Sequence, residues 1–191
     1  MFSDAEKNAI RRSWRLCIPI AETVADLFYR RLFELAPEYR SLFSEDMGGQ
    51  KKKLIRMLAF IVKSMEWTEE QWADSVNPDE DLMLVVLALG RRHTRLYRVP
   101  PQAYAPVGAA LMWTLEQGLG DALDETTRIA WTRLYDLLSK TMIMAGGVDV
   151  EGEVSIAAAV DAERNGEAAL LTQLAAAGID EARLGIQEEL S

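Results

Sequence analysis

Apolar residues recur at helical intervals through most of the chain. Leu54, Met57, Leu58 and Ile61 are spaced by three and four residues, which places them on one face of a helix. Ser3-Asp4-Ala5-Glu6 has the form of a capping box, in which the Ser hydroxyl and the Glu carboxylate take up the unpaired amides of a first helix. That helix is expected to end near Pro19, and a second to run to about Leu35. Pro37 suits the first turn of a short third helix, where a missing amide costs nothing. Asn77-Pro78 supplies a cap and a first-turn proline for the helix that carries residues 81–97. Pro100-Pro101 closes the turn after it and opens another helix, which runs to residues 118–120. Asp124 then caps a last helix that ends at Gly146-Gly147. No alternating run long enough for a sheet competes with this pattern, so the fold class is all-α.

Composition adds a boundary. The chain has 191 residues, 49% of them hydrophobic, and contains five each of Trp, Tyr and Phe, enough for a full core in one main domain. Every aromatic lies at or before Tyr135. Residues 147–191 lack aromatics and Pro and carry ten acidic residues against Arg164 and Arg183, a formal −8 out of a total of −9. Residues 1–146 are therefore nearly neutral and are expected to form the domain. Residues 147–191 are an acidic, Ala-rich tail that buries too little apolar surface for a second domain, although 167–177 and 180–190 have the composition of short helices.

The same reading excludes several functions. No basic stripe is present, which argues against nucleic-acid binding. The first twenty residues carry Asp4, Glu6, Lys7, Arg11, Arg12 and Arg15, so they lack the apolar core of a signal peptide. No apolar run approaches the ~20 residues of a membrane span. A lone Cys17 forms no intrachain disulfide, which makes the reducing cytoplasm the expected compartment. The one histidine, His93, serves at most one of the roles that need an imidazole. Taken alone it is also an ordinary packed histidine.

Several segments, in order, resemble the globins. They are Phe-Tyr-Arg-Arg-Leu-Phe-Glu-Leu-Ala-Pro-Glu-Tyr-Arg-Ser-Leu-Phe at 28–43, Gln-Lys-Lys-Lys-Leu at 50–54, Leu-Gly-Arg-Arg-His at 89–93, then Val99, Gln-Ala-Tyr-Ala-Pro-Val-Gly at 102–108, and finally Trp131 and Tyr135. Tyr29 and Gln50 make the chain most similar to the bacterial flavohaemoglobin-like and single-domain haem globins. The resemblance implies a globin fold, with helices packed pairwise at steep angles around a haem pocket. It implies haem b, held non-covalently since there is no Cys-x-x-Cys-His site, with His93 as the proximal iron ligand. The ring's second nitrogen would bond to a backbone carbonyl or side chain that fixes its orientation. Leu89 would pack beneath the haem, Phe28, Phe43, Val99 and Tyr104 would contact it, and Lys53 and Arg92 would pair with its propionates. Tyr29, Gln50 and Leu54 would form the distal, gas-binding wall, with Tyr29 and Gln50 as hydrogen-bond donors to the gas. Read from the residues alone, Tyr29 is equally a core tyrosine, Gln50 a surface residue, and Lys53 and Arg92 solvated charges. With a single His, no second imidazole is left for the iron.

One departure bears on function. In the flavohaemoglobins a tyrosine and a glutamate buttress the ligating His. Here Tyr104 matches the tyrosine, but the glutamate's expected place holds Gly146. The tail has too little sequence for a reductase domain, so electrons would come from an external reductase. The functional readings are reversible binding of O2, with NO and CO as further ligands, NO dioxygenase-type detoxification with that reductase, or haem-based gas or redox sensing. The expected assembly is a monomer or homodimer.

Overall fold

The computed structural model describes residues 2–65 and 82–147. The Asn77-Pro78 helix start and the two tail helices lie outside the described residues. Among these residues there are six α-helices and no strand, in agreement with the all-α pattern.

Helix α1 (Asp4–Cys17) begins on the expected capping box: the Ser3 hydroxyl accepts from the Glu6 amide at 3.3 Å, and the Glu6 carboxylate accepts from the Ser3 amide at 2.8 Å. A 3-10 turn at Ile18–Ile20, with Pro19 in it, leads into α2 (Ala21–Leu35). The short helix expected at Pro37 is a 3-10 helix, Pro37–Leu42. Helix α3 (Gly48–Ser64) buries Ile55, Leu58, Ile61 and Val62, and α4 (Leu82–Arg95) carries His93. A further 3-10 turn at Pro101–Ala103 precedes α5 (Tyr104–Leu119), and α6 (Glu125–Gly147) is capped by Asp124, whose carboxylate accepts from the Thr127 amide at 2.7 Å.

The helices bury their apolar stripes against one another. The most extensive contact is α4 on α6; α2 lies on α5, α1 on α6, and α3 on α2 and α1. The shared core runs from Ile10 and Trp14 through Val24, Phe28 and Leu32 to Leu58, Ile61, Leu111, Leu115, Trp131 and Leu134. Trp131 is 1% exposed and joins α6 to α1 by donating its indole N–H to the Ser13 hydroxyl at 2.9 Å. That hydroxyl in turn lies 2.8 Å from the Ala9 carbonyl, so among the described residues the buried indole is satisfied through Ser13. A buried donor left without a partner costs about 1–3 kcal/mol. Ser13→Ala is therefore expected to lower the unfolding free energy by about 1–3 kcal/mol in urea titrations, with no change in helix content below the transition.

Candidate functional site

His93 stands in the last turn of α4, half-buried. Its Nδ1 lies 2.9 Å from the Leu89 carbonyl oxygen, one turn earlier on the same helix. A carbonyl can only accept, so Nδ1 carries the proton and Nε2 keeps its lone pair. Burial favours this neutral form by lowering the ring's pKa; the neighbouring Arg92 charge acts in the same sense and the Leu89 carbonyl opposes both. Tyr97, one turn on, meets the imidazole edge-on with ring centres 5.8 Å apart. The chain leaves α4 through Arg98 at φ +52°, a left-handed conformation uncommon outside glycine, and the Val99 amide returns to the His93 carbonyl at 2.8 Å. His93, Leu89, Arg92 and Val99 thus form one local unit, with Leu89 and Val99 both half-buried.

A second cluster gathers on α2 and the start of α3. Tyr29 is 8% exposed and sits among three phenylalanines: Phe28 at 5.0 Å and Phe43 at 5.6 Å, both edge-on, and Phe33 at 6.0 Å. Such geometries bring positive ring edges to negative ring faces. The Tyr29 hydroxyl donates to the Gln50 backbone carbonyl at 3.2 Å, long for an O–H···O bond. Burial pushes its pKa up to about 12, so it stays protonated and able to donate. Lys51, next to Gln50, pairs with Asp26 and holds the start of α3 to α2. Leu54 is partly buried against the core, Gln50 is half-buried, and Lys53 points to the surface. Phe33 was not among the sequence candidates; its position four residues after Tyr29 was the available signal.

Tyr104 opens α5. Its backbone carbonyl accepts from the Tyr135 hydroxyl, while its own hydroxyl is buried and has no hydrogen-bond partner among the described residues. Burial raises its pKa, so this hydroxyl stays neutral and able to donate. Position 146, where the flavohaemoglobin-like buttress would have a glutamate, is a glycine packed against Thr94. A Cβ built at Gly146 would lie 2.8 Å from the Thr94 Cβ, closer than side-chain carbons approach. Thr94, the residue after His93, fills that space.

Comparison with known proteins identifies the family of the chain. Residues 26–142 match the family model described as Globin. The chain is similar to the Neuroglobin of Tetraodon nigroviridis, 30% identical over 146 residues that cover 73% of this chain and 89% of that protein. It is 29% identical over 146 residues to the Neuroglobin of Danio rerio. It is also similar to the Flavohemoprotein of Rhizobium meliloti, 26% identical over 149 residues that cover 76% of this chain and 34% of that protein. The chain thus spans about nine tenths of the neuroglobins and about a third of the flavohemoproteins it matches. The similarity extends beyond the flavohaemoglobin-like branch to which Tyr29 and Gln50 point.

The unpartnered Tyr104 hydroxyl generates a test of the haem-free chain. Tyr104→Phe removes a buried donor without breaking any hydrogen bond described above, so stability in urea is expected to stay unchanged or rise. A loss of more than about 1 kcal/mol would show that the hydroxyl already has a partner.

Proposed function

The chain belongs to the globin family, and on that premise we propose that it holds haem b non-covalently on His93 and binds O2 reversibly, with NO and CO as further ligands. Haem supplies an iron centre with an open position for a diatomic gas. The observation that carries the proposal is the Nδ1 to Leu89 carbonyl bond of 2.9 Å, which leaves a neutral Nε2 lone pair for iron. Two further features fit the group: aromatic rings gathered around Tyr29, and a buried Tyr104 hydroxyl that lacks an acceptor among the described residues. Phe28, Phe43, Leu89, Val99 and Tyr104 would enclose the macrocycle. Lys53 and Arg92 would face its propionates, Lys53 from the solvent side.

On the gas side, Tyr29 is the principal donor. Its present bond to the Gln50 carbonyl is long and correspondingly weak, so the hydroxyl can rotate from that carbonyl to a polar gas at small cost. The Gln50 side-chain amide would add a second donor, and Leu54 with Phe43 would keep water out. A hydrogen bond to a charged or strongly polarised group contributes ~1.5–3 kcal/mol, about ten- to a hundredfold in affinity. Reversible binding is favoured over NO dioxygenase-type turnover with an external reductase because residue 146, where a complete proximal buttress would need a glutamate, is a glycine whose added Cβ would lie 2.8 Å from the Thr94 Cβ.

Two experiments test the proposal. His93→Ala should abolish or grossly weaken haem uptake by the recombinant chain, followed by the Soret band; full occupancy with an unchanged spectrum would overturn the ligand assignment. Tyr29→Phe keeps the packing ring and removes the donor. O2 release should then quicken by about ten- to a hundredfold while CO release, from a less polar complex, changes much less. Equal O2 dissociation in the variant and the unmodified protein would remove Tyr29 from the site.

A further inference from the structure

The position of the His93 ring depends on where α4 lies. Among the described residues, its hydrogen bond is to Leu89, within α4 itself, so the imidazole moves with the helix that carries it. Helix α4 in turn rests on α6, and the contact is unusually close at two points. A Cβ built at Gly90 would lie 2.5 Å from the Met142 Cα and 2.9 Å from its carbonyl carbon, both backbone atoms that cannot turn aside. One turn further on, a Cβ at Gly146 would lie 2.8 Å from the Thr94 Cβ, which no rotation of the threonine relieves. Gly90 and Thr94 are one turn apart on α4, and Met142 and Gly146 one turn apart on α6, so the two contacts lie along a single line of approach. His93 falls between them, three residues after Gly90 and directly before Thr94.

We infer that Gly90, Thr94 and Gly146 are positioning residues for the iron ligand: the two glycine contacts set how far α4 stands from α6, and so where His93 presents Nε2. The inference rests on the reading of His93 as axial ligand. An added methyl at position 146 cannot be absorbed by a side-chain rotation and must lift the end of α4. The helix then carries the imidazole with it, altering the strain on the iron–histidine bond. Changes in the groups that orient a metal ligand weaken metal affinity by about 10- to 100-fold.

The test uses the full chain reconstituted with haem, read by the iron–histidine stretching band of the ferrous, gas-free form in resonance Raman spectra and by the rate of haem transfer to an excess of apoglobin. Gly146→Ala should shift the band and quicken haem loss by about 10- to 100-fold. Gly146→Ala combined with Thr94→Gly moves the methyl across the contact and should return both readouts toward those of the unmodified protein. Leu115→Ala, in the core of α5, should lower stability without shifting the band, which separates positioning from general destabilisation. If Gly146→Ala fails to fold, Thr94→Ala loosens the same contact from the other side and should shift the band by itself. An unshifted band in the variant that folds, or effects of Gly146→Ala and Thr94→Gly that add rather than cancel, would overturn the inference. Absence of an iron–histidine band in the unmodified protein, or its persistence in His93→Ala, would instead overturn the ligand reading on which the inference rests.

Discussion

Helices α4 and α6 meet backbone to backbone at Gly90, with no side chain of α4 between them. A glycine inside a helix costs about 1 kcal/mol relative to alanine, because the unfolded chain loses more freedom and no side chain is buried in return. Here that cost secures a short interhelical distance and many dispersion contacts along the line of approach. The constraint reaches beyond the pair. Helix α6 is also held to α1 through Trp131 and Ser13, so the helix bearing the histidine is referenced, through α6, to the core packed by α1. The Tyr29 cluster belongs to α2 and the start of α3, which pack on that same core from elsewhere.

Stability and function pull apart at two tyrosines. Among the described residues, Tyr104 keeps a buried hydroxyl without an acceptor, a group that pressure for stability alone would replace by phenylalanine. Tyr29 spends its hydroxyl on a long bond to the Gln50 carbonyl where a shorter one would be stronger. Both departures fit the haem site proposed above, since local rules are most often broken at functional sites.

The features legible in the sequence were those that depend on near neighbours. The Ser3 box, the Asp124 cap, the prolines at the starts of turns and the apolar face of α3 all follow from short-range physics, and all appear at the expected places. The all-α class followed from them. The bond between His93 and Leu89 was readable in kind, since four-residue spacing brings a side chain back over the preceding turn. Contacts between distant segments were not readable. Nothing near Gly90 announces Met142, and a glycine at 146 reads as a helix end until Thr94 is seen against it. The partner of Tyr29 was also hidden, because it is the backbone of Gln50 and not the amide that distinguishes that residue in the sequence. The proline expected to start an α-helix at position 37 opens a 3-10 helix instead. In so short a segment either ladder satisfies the few amides available.

Cys17 is fully enclosed in the core, and desolvation pushes its pKa up to about 11. At neutral pH the thiolate, the form that reacts with peroxides and electrophiles, is essentially unpopulated there. The globin thereby keeps its one thiol out of reach of oxidants in solution. The thioethers are more open to oxidation, with Met144 the most exposed among the described methionines at 66%, and sulfoxidation there would leave the core untouched and be enzymatically reversible.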